Sequence, residues 1–472
     1  MTTTRRDFLR AAVAVSVGFR GLKELVAGDD PMSDSPVWTV PGFGPLKADT
    51  AGLLDLPDGF SYRVISELGQ PMDDGLIVPG QPDGMGSFAG PNGMTILVRN
   101  HELDPSMVDR SPFGPKGELL HKIDQAKAFD LGHGKRPCIG GTTTLLYDTR
   151  SQELKRHYLS LACTEYNCAG GVTPWGSWVT CEETVERANE FYEHDHGYPF
   201  EVPADLTQGL HKPTPIKPMG RFRHEAIAVD PRTMIVYQTE DRDEGLWYRY
   251  LPDKPGELLA GGKLQALVVK GRKSLDTRNW LDESGNIPTP IKVGEKFDVE
   301  WMDLDEIDSP KDDLRFRGFD AGAARFARAE GTWFGRGVVF FACTTGGRIQ
   351  KGQIWKYTPS KAEGTAGESE KPGTLELFIE PNHAGLIENA DNLTVAPWGD
   401  LVVCEDGSGD QYLVGVTPEG GMYKIARNAL SHSEFAGACF SPDGSTLFVN
   451  MQSAGKTFAI TGPWREIRGN NS

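Results

Sequence analysis

One arrangement of apolar and polar positions recurs along the chain. It consists of a Pro or Gly turn, a run of β-branched or aromatic residues, and a polar or acidic end. The copies are "PNGMTILVRNHE" from Pro91, "TPWGSWVTCEE" from Thr173, "DPRTMIVYQTED" from Asp230, "FGRGVVFFACTTGG" from Phe334, "APWGDLVVCEDG" from Ala396 and "SPDGSTLFVNMQ" from Ser441. Each reads as a strand, because β-branched and aromatic side chains suit a pleated, half-buried surface and turn residues punctuate it. Several copies pass through a Gly-containing turn into a further strand, as in "GLWYRYLP", "GQIWKYTP", "QYLVGVTP" and "TFAITGP".

Strand, acidic turn, strand and Pro turn make half a propeller blade. The expected fold class is therefore all-β, a six-bladed β-propeller with loop insertions. Spacings of about 45 residues suit one four-stranded blade, and wider ones call for insertions at 103–139, 186–222, 253–325 and 360–375. These stretches are rich in Asp, Glu, Lys, Pro and Gly and read mostly as solvated loops. A β-sandwich is the structural alternative, but it does not explain six copies of one phrase. No interdomain linker is evident, so residues 29–472 are expected to form one domain with its core over about 50–465.

Composition supports this picture. Of 472 residues, 38% are hydrophobic and 24% charged, ample for a large core, and 56 Gly with 32 Pro suit many short strands rather than long helices. Residues 1–28 change the picture of where the protein works. Thr4-Arg5-Arg6, then Phe8-Leu9 and a short uncharged apolar run, read as a twin-arginine export signal. The apolar run is far below the roughly 20 residues that span a bilayer, so stable membrane insertion is not expected. The partner is the twin-arginine export machinery, and the location is periplasmic or secreted. That route carries folded, cofactor-loaded proteins and so favours a metal. Seven cysteines are an odd number, and Cys343 and Cys404 sit in apolar runs as small buried hydrophobes rather than in a disulfide framework.

A net charge of −17 argues against nucleic acid and against an anionic membrane surface. An anionic substrate then requires cations in the site. Polar residues recur about six positions before the turn Pro: Cys168 before Pro174, Glu225 before Pro231 and Asp391 before Pro397, with Glu330 and Glu434 at the corresponding entrances. In a propeller the innermost strands converge on one axis, so these positions predict a single constellation. The strand exits repeat as well, at Asn100 and Glu102, Glu182 and Glu183, Glu240 and Asp241, Glu405 and Asp406, and Asn450. Adjacent strand residues face opposite ways, so one of each neighbouring pair reaches the shared centre.

Carboxylates gathered on one axis repel unless cations fill the space. Oxygen ligands suit Ca²⁺, whereas the Cys168 thiolate points to a transition metal such as iron. Taken singly, Glu102 or Glu405 reads as a solvated strand end, and Asp443 as an Asx turn without a further role. Recurrence tips the balance. His101, His224 and His383 lie beside candidate ligands, as orienting neighbours or as ligands themselves. Cys181 is expected to be a packed strand residue.

The phrases "RNHE", "NCAGGVTPWGSWVTCEE", "GRFRHEAIAVDP", "RAEGTWF", "DNLTVAPWGDLVVCEDG" and "EFAGACFSPDGSTLFVNMQ" span residues 97–453. In these motifs the chain resembles the PhoX-type alkaline phosphatases, exported bacterial enzymes. The resemblance implies a six-bladed propeller carrying Fe³⁺ and Ca²⁺ and hydrolysing phosphate monoesters. It implies that Cys168, Glu225 and Glu330 hold iron and that Arg328 contacts the substrate phosphate. Glu102, Asp391, Asn392, Glu405 and Glu434 would bind calcium or support its ligands, with Asn392 also near substrate. The chemistry agrees, since phosphate-ester hydrolysis needs neutralised phosphoryl oxygens, an activated oxygen nucleophile and a stabilised leaving group, all within reach of clustered metals. Two competing readings are a calcium-dependent lactonase or esterase propeller, which leaves Cys168 and Arg328 without tasks, and a non-catalytic periplasmic binding propeller.

Overall fold

Every one of the six repeated phrases forms a strand: Thr95–His101, Ser177–Glu182, Val236–Glu240, Val338–Cys343, Leu401–Glu405 and Thr446–Met451. The computed structural model describes residues 39–467 apart from residues 208 and 382, and the export segment expected at 1–28 lies outside the described residues. Each phrase strand pairs antiparallel with an inner strand that precedes it. The inner strands are Pro82–Ala89, Asn167–Val172, His224–Val229, Ala329–Gly335, Ala390–Val395 and Phe435–Phe440.

The inner strands pack side by side in chain order, and the last returns to the first, closing a ring. Residues from all six of them line one narrow axial cavity of about 20 Å³. The architecture is all-β and propeller-like. Hydrogen bonding groups the described strands into five sheets rather than six separate ones, because Lys296–Asp303 bridges Gly262–Val269 to Thr374–Ile379 and fuses two neighbours into a ten-stranded sheet. Ring closure is made by the early strand Ser61–Glu67, which pairs with Lys456–Thr461.

The insertions are more ordered than expected from composition. The 253–325 segment carries the strands Gly262–Val269 and Lys296–Asp303 and the α-helix Leu314–Ala321, and 186–222 carries the strand Pro199–Pro203. Lys296–Asp303 reads KFDVEWMD, and its first five residues alternate exposed and buried, a period of two masked by the acidic composition. The 103–139 segment forms only single 3-10 turns, and 360–375 one such turn at Ala366–Glu370. Between the two halves of the ten-stranded sheet the core is aromatic: Tyr237 stacks on Trp247 at 5.2 Å and Trp247 on Phe341 at 4.6 Å.

Each inner strand contains a register shift against its partner, between Pro82 and Met85, Asn167 and Gly170, His224 and Ile227, Ala329 and Thr332, Ala390 and Leu393, and Ala436 and Cys439. A bulge places two residues opposite one and re-aims a side chain. At the axis the strands come very close. A Cβ on Gly437, whose φ is +63°, would lie 2.3 Å from Asp83 O, and one on Gly331 would lie 2.6 Å from Asp391 O. Gly176, at φ +88°, has nothing within 4 Å of its Cβ position. Gly176→Ala should therefore cost about 1 kcal/mol for left-handed strain alone. Gly437→Ala should cost about 2 kcal/mol more, because backbone cannot yield as a flexible side chain can. Denaturant melts of the two variants check this, and equal losses would contradict the close approach of the inner strands.

Candidate metal centre

The bulges carry the site. Asp83, Cys168, Glu225, Glu330 and Asp391 all fall within them, each one residue after the paired strand start. Three sets of donor atoms result, each with its members within 4.8 Å of one another: Cys168 with Glu183 and Glu225, Glu225 with Glu330 and Asp391, and Asp83 with Glu102 and Glu434. Glu225 belongs to two sets, so the centre is continuous from a thiol-containing end to an all-oxygen middle.

Of the residues singled out in the sequence, the structure brings together Cys168, Glu225, Glu330, Glu102, Glu183, Asp391 and Glu434. Arg328 lies against them. Its Nε donates to Asp241 Oδ1 at 2.8 Å, and its Nη2 to Glu330 Oε1 at 2.6 Å and Asp241 Oδ2 at 3.3 Å. Its backbone is left-handed, at φ +49°, unusual for a residue other than Gly and typical of a position held by its surroundings.

Four other candidates lie outside the donor sets. Glu182 turns away from the axis, accepts N–H from Glu165, Gly197 and Tyr198, and meets His196 Nδ1 at 2.7 Å. Glu405 also turns away, to Lys424 Nζ at 2.9 Å and the N–H groups of Glu388 and Tyr412. Each is a member of an adjacent pair in which the second acid faces inward, Glu183 in one case and Asp406 in the other. Asn100 is a brace rather than a donor in the cluster: Nδ2 donates to Cys168 O and Ala169 O, and Oδ1 accepts from Trp178 Nε1. Asn392 is similarly committed, donating to Asp391 Oδ1 at 3.1 Å and accepting from Gly437 N at 2.9 Å.

His101 bonds Gly80 O and Thr143, His224 bonds Gly220 O and stacks on Phe222 at 3.6 Å, and His383 is exposed, so none joins the donor sets. Cys181 is fully buried in an apolar cluster.

Asp241 and Asp406 are the inward members of their exit pairs, whereas Asp83, Gln452 and Arg223 were not apparent from the sequence as site residues. Asp83 stands eight rather than six positions before its turn Pro91, because its strand is longer. Gln452 Nε2 bridges Asp83 Oδ2 and Glu102 Oε2 at 2.8 and 2.6 Å. Arg223 precedes Glu225 by two residues as Arg328 precedes Glu330, and its Nη1 reaches Glu183 at 3.1 Å. That shared Arg-x-Glu spacing was the signal available.

The electrostatics demand counter-charge. Burial raises Asp83 to about 7 and Glu183 to about 8, with Asp241 adding to the latter. Burial and then neighbouring carboxylates push Glu102, Glu225, Glu330, Asp391 and Glu434 well above the ordinary range. The Glu330 carboxylate raises Arg328 against the effect of its burial. Two guanidinium groups do not balance so many acids, and the donor types present are those of bound cations.

A family model described as alkaline phosphatase PhoX matches residues 41–455. The chain belongs to the PhoX alkaline phosphatase family. The structure of Pseudomonas fluorescens PhoX, in complex with vanadate, a transition state analogue, aligns with a TM-score of 0.64 at 17% identity. It covers 91% of this chain and 98% of that one, and the likeness establishes the fold. A Xanthomonas campestris gluconolactonase aligns with a TM-score of 0.42 at 10% identity, over 90% of this chain and 99% of that one. No curated protein matches the sequence. PhoX membership makes this chain a phosphatase by family and supports metal-dependent hydrolysis of phosphate esters. Among the described residues no helix is long and apolar enough to cross a membrane.

The raised carboxyls make metal-free protein sensitive to pH. Above about pH 4, where unfolded carboxyls ionise, the folded state still binds more protons than the unfolded chain, up to the raised values of about 7 for Asp83 and 8 for Glu183. Stability of the metal-stripped protein should therefore fall as pH rises from about 5 to about 8, and added Ca²⁺ should restore it. Thermal melts across that range check both, and a flat profile without metal would contradict the buried-acid account.

Proposed function

We propose that this protein hydrolyses phosphate monoesters at an iron and calcium centre on the axis of a six-bladed propeller. In this reading the ten-stranded sheet counts as two blades joined by Lys296–Asp303, one for each of the inner strands His224–Val229 and Ala329–Gly335. The observation that carries the proposal is the group of three donor sets, two of them sharing Glu225, with a thiol in one and oxygen elsewhere, beneath a partly exposed arginine.

The donors fit the two metals. Cys168 with Glu183 and Glu225 offers sulfur and oxygen to Fe³⁺, and Glu330 extends that set through Glu225. Asp83, Glu102 and Glu434 offer only oxygen, as Ca²⁺ prefers, with Asp391 and Asp406 close by. Bound there, the metals would supply Lewis acidity and neutralise the phosphoryl oxygens.

The chain's own residues set the geometry around that chemistry. Asp241 and Glu330 grip Arg328 through Nε and Nη2, while Nη1 has no hydrogen bond among the described residues. A guanidinium oriented in this way presents an N–H to a phosphoryl oxygen with little further loss of side-chain freedom. Arg223, held by Glu183 at the equivalent place, supplies a second positive charge for the same anion. Asn392 and Asn100 keep the Asp391 carboxylate and the Cys168 backbone in position. The acidic surface excludes nucleic acid as substrate, and the cationic centre admits a small phosphate ester.

The N-terminal 28 residues act as a twin-arginine export signal in this reading, and residues 29–472 as one periplasmic or secreted catalytic domain.

Elemental analysis paired with p-nitrophenyl phosphate turnover tests the assignments. Cys168→Ala and Glu225→Ala should lose iron and activity together. Arg328→Ala should keep its metals and lose about a hundredfold or more in kcat/KM, the scale of a lost transition-state donor. Full activity in all three variants, or turnover of lactones with none of phosphate esters, would overturn the proposal.

A further inference from the structure

Away from the axial donor sets, one other group of buried ligand-type side chains converges among the described residues. Cys138 lies just before the strand Gly140–Asp148, Glu165 just after Glu153–Thr164, and His196 between Ser177–Glu182 and Pro199–Pro203. Each offers one donor atom within 4.8 Å of the other two. Their exposures are 1%, 2% and 0%, so solvent does not satisfy them.

The hydrogen bonds around them prepare a ligand set. Glu182, anchored by three backbone N–H groups, accepts from His196 Nδ1 at 2.7 Å. That fixes the proton on Nδ1 and turns Nε2 into a lone-pair donor, the carboxylate–histidine support found behind metal-binding imidazoles. Nε2 lies 3.3 Å from Asp130 Oδ2, but that oxygen already accepts N–H from Glu193 at 2.7 Å and His194 at 3.0 Å and needs nothing from the ring. Glu165 Oε1 accepts from the Tyr192 hydroxyl at 2.7 Å, while Oε2 is buried with no hydrogen-bond partner. An orphaned carboxylate oxygen is costly, and a cation satisfies it.

We propose that Cys138, Glu165 and His196 form a second metal site, for a divalent transition metal of the zinc type. Thiolate, imidazole and carboxylate together suit such an ion and do not suit Ca²⁺. A thiolate, a carboxylate and a neutral imidazole balance a 2+ charge. The burial makes the site structural, with its fourth position left to water or Asp130. It ties the end of the 103–139 insertion and the His196 segment to the sheet edge. Through Glu182 it also steadies the backbone of Glu183, an axial donor. The competing arrangement is a metal-free imidazolium between Glu182 and Asp130 beside a protonated thiol, which leaves Glu165 Oε2 unsatisfied.

The test is elemental analysis of the full chain, as purified and after incubation with Zn²⁺ and desalting, alongside Cys138→Ser and Glu165→Gln. Wild-type protein should retain about one zinc-type ion per chain beyond its iron and calcium. Both variants should lose that ion, keep the axial metals, and melt at lower temperature. Co²⁺ added to the Cys168→Ala variant should still give a thiolate-to-metal absorption band, now from Cys138. Absence of any such ion in wild-type protein, or its retention by both variants, would overturn the site. The outcome is separable from the phosphatase reading, because loss of the Cys138 ion leaves iron in place, whereas failure of the axial assignment shows as unchanged iron in Cys168→Ala.

Discussion

The structure depends on a repulsion that the protein alone does not relieve. Seven carboxylates, Asp83, Glu102, Glu183, Glu225, Glu330, Asp391 and Glu434, are drawn to one axis beside Cys168. Burial and mutual charge both disfavour their ionised forms. In the proposed reading cations convert this liability into a binding centre, and the surrounding features follow from keeping the acids aimed inward. The bulge in five of the six inner strands carries a donor side chain toward the axis, and the sixth holds Gly437 instead. Small residues next to those positions, such as Gly84, Ala169, Ala226 and Gly331, let neighbouring strands approach closely enough for the acids to meet.

The same requirement explains how an acidic chain binds an anion. Arg328 and Arg223 are not free surface cations. Each is held by an exit acid contributed by the preceding inner strand's partner, Asp241 and Glu183 respectively, so the repeat that builds the ring also builds the rim proposed to face the phosphate. The outward-facing acids of the exit pairs have different work. Glu182, Glu240 and Glu405 accept backbone N–H groups or pair with Arg315 and Lys424, and they fix the turns from which their inward neighbours project.

Much of this was legible in the sequence because it repeats. The phrase strands are where their turn residues and β-branched runs place them, and the six-residue spacing to the turn Pro finds Cys168, Glu225 and Asp391. Where spacing changes, the reading fails, as at Asp83 in a strand two residues longer. Adjacent acids were a subtler difficulty. Period two says that one of Glu182 and Glu183 faces inward, but the choice depends on the register against the inner strand, a tertiary property. The ordered strands of 253–325 were masked by acidic composition, although KFDVEWMD alternates. The cluster of Cys138, Glu165 and His196 draws on three separate segments with no shared motif, and only the folded arrangement brings them together.

The central claim is that metal ions occupy the axis, with a transition metal at the thiol end. Anomalous diffraction from crystals of the purified protein, collected on either side of the iron absorption edge, tests it directly. The account predicts an iron peak bounded by Cys168, Glu183 and Glu225, and calcium-type density among Asp83, Glu102 and Glu434. An axis with no anomalous peak beside Cys168 in active protein would contradict it.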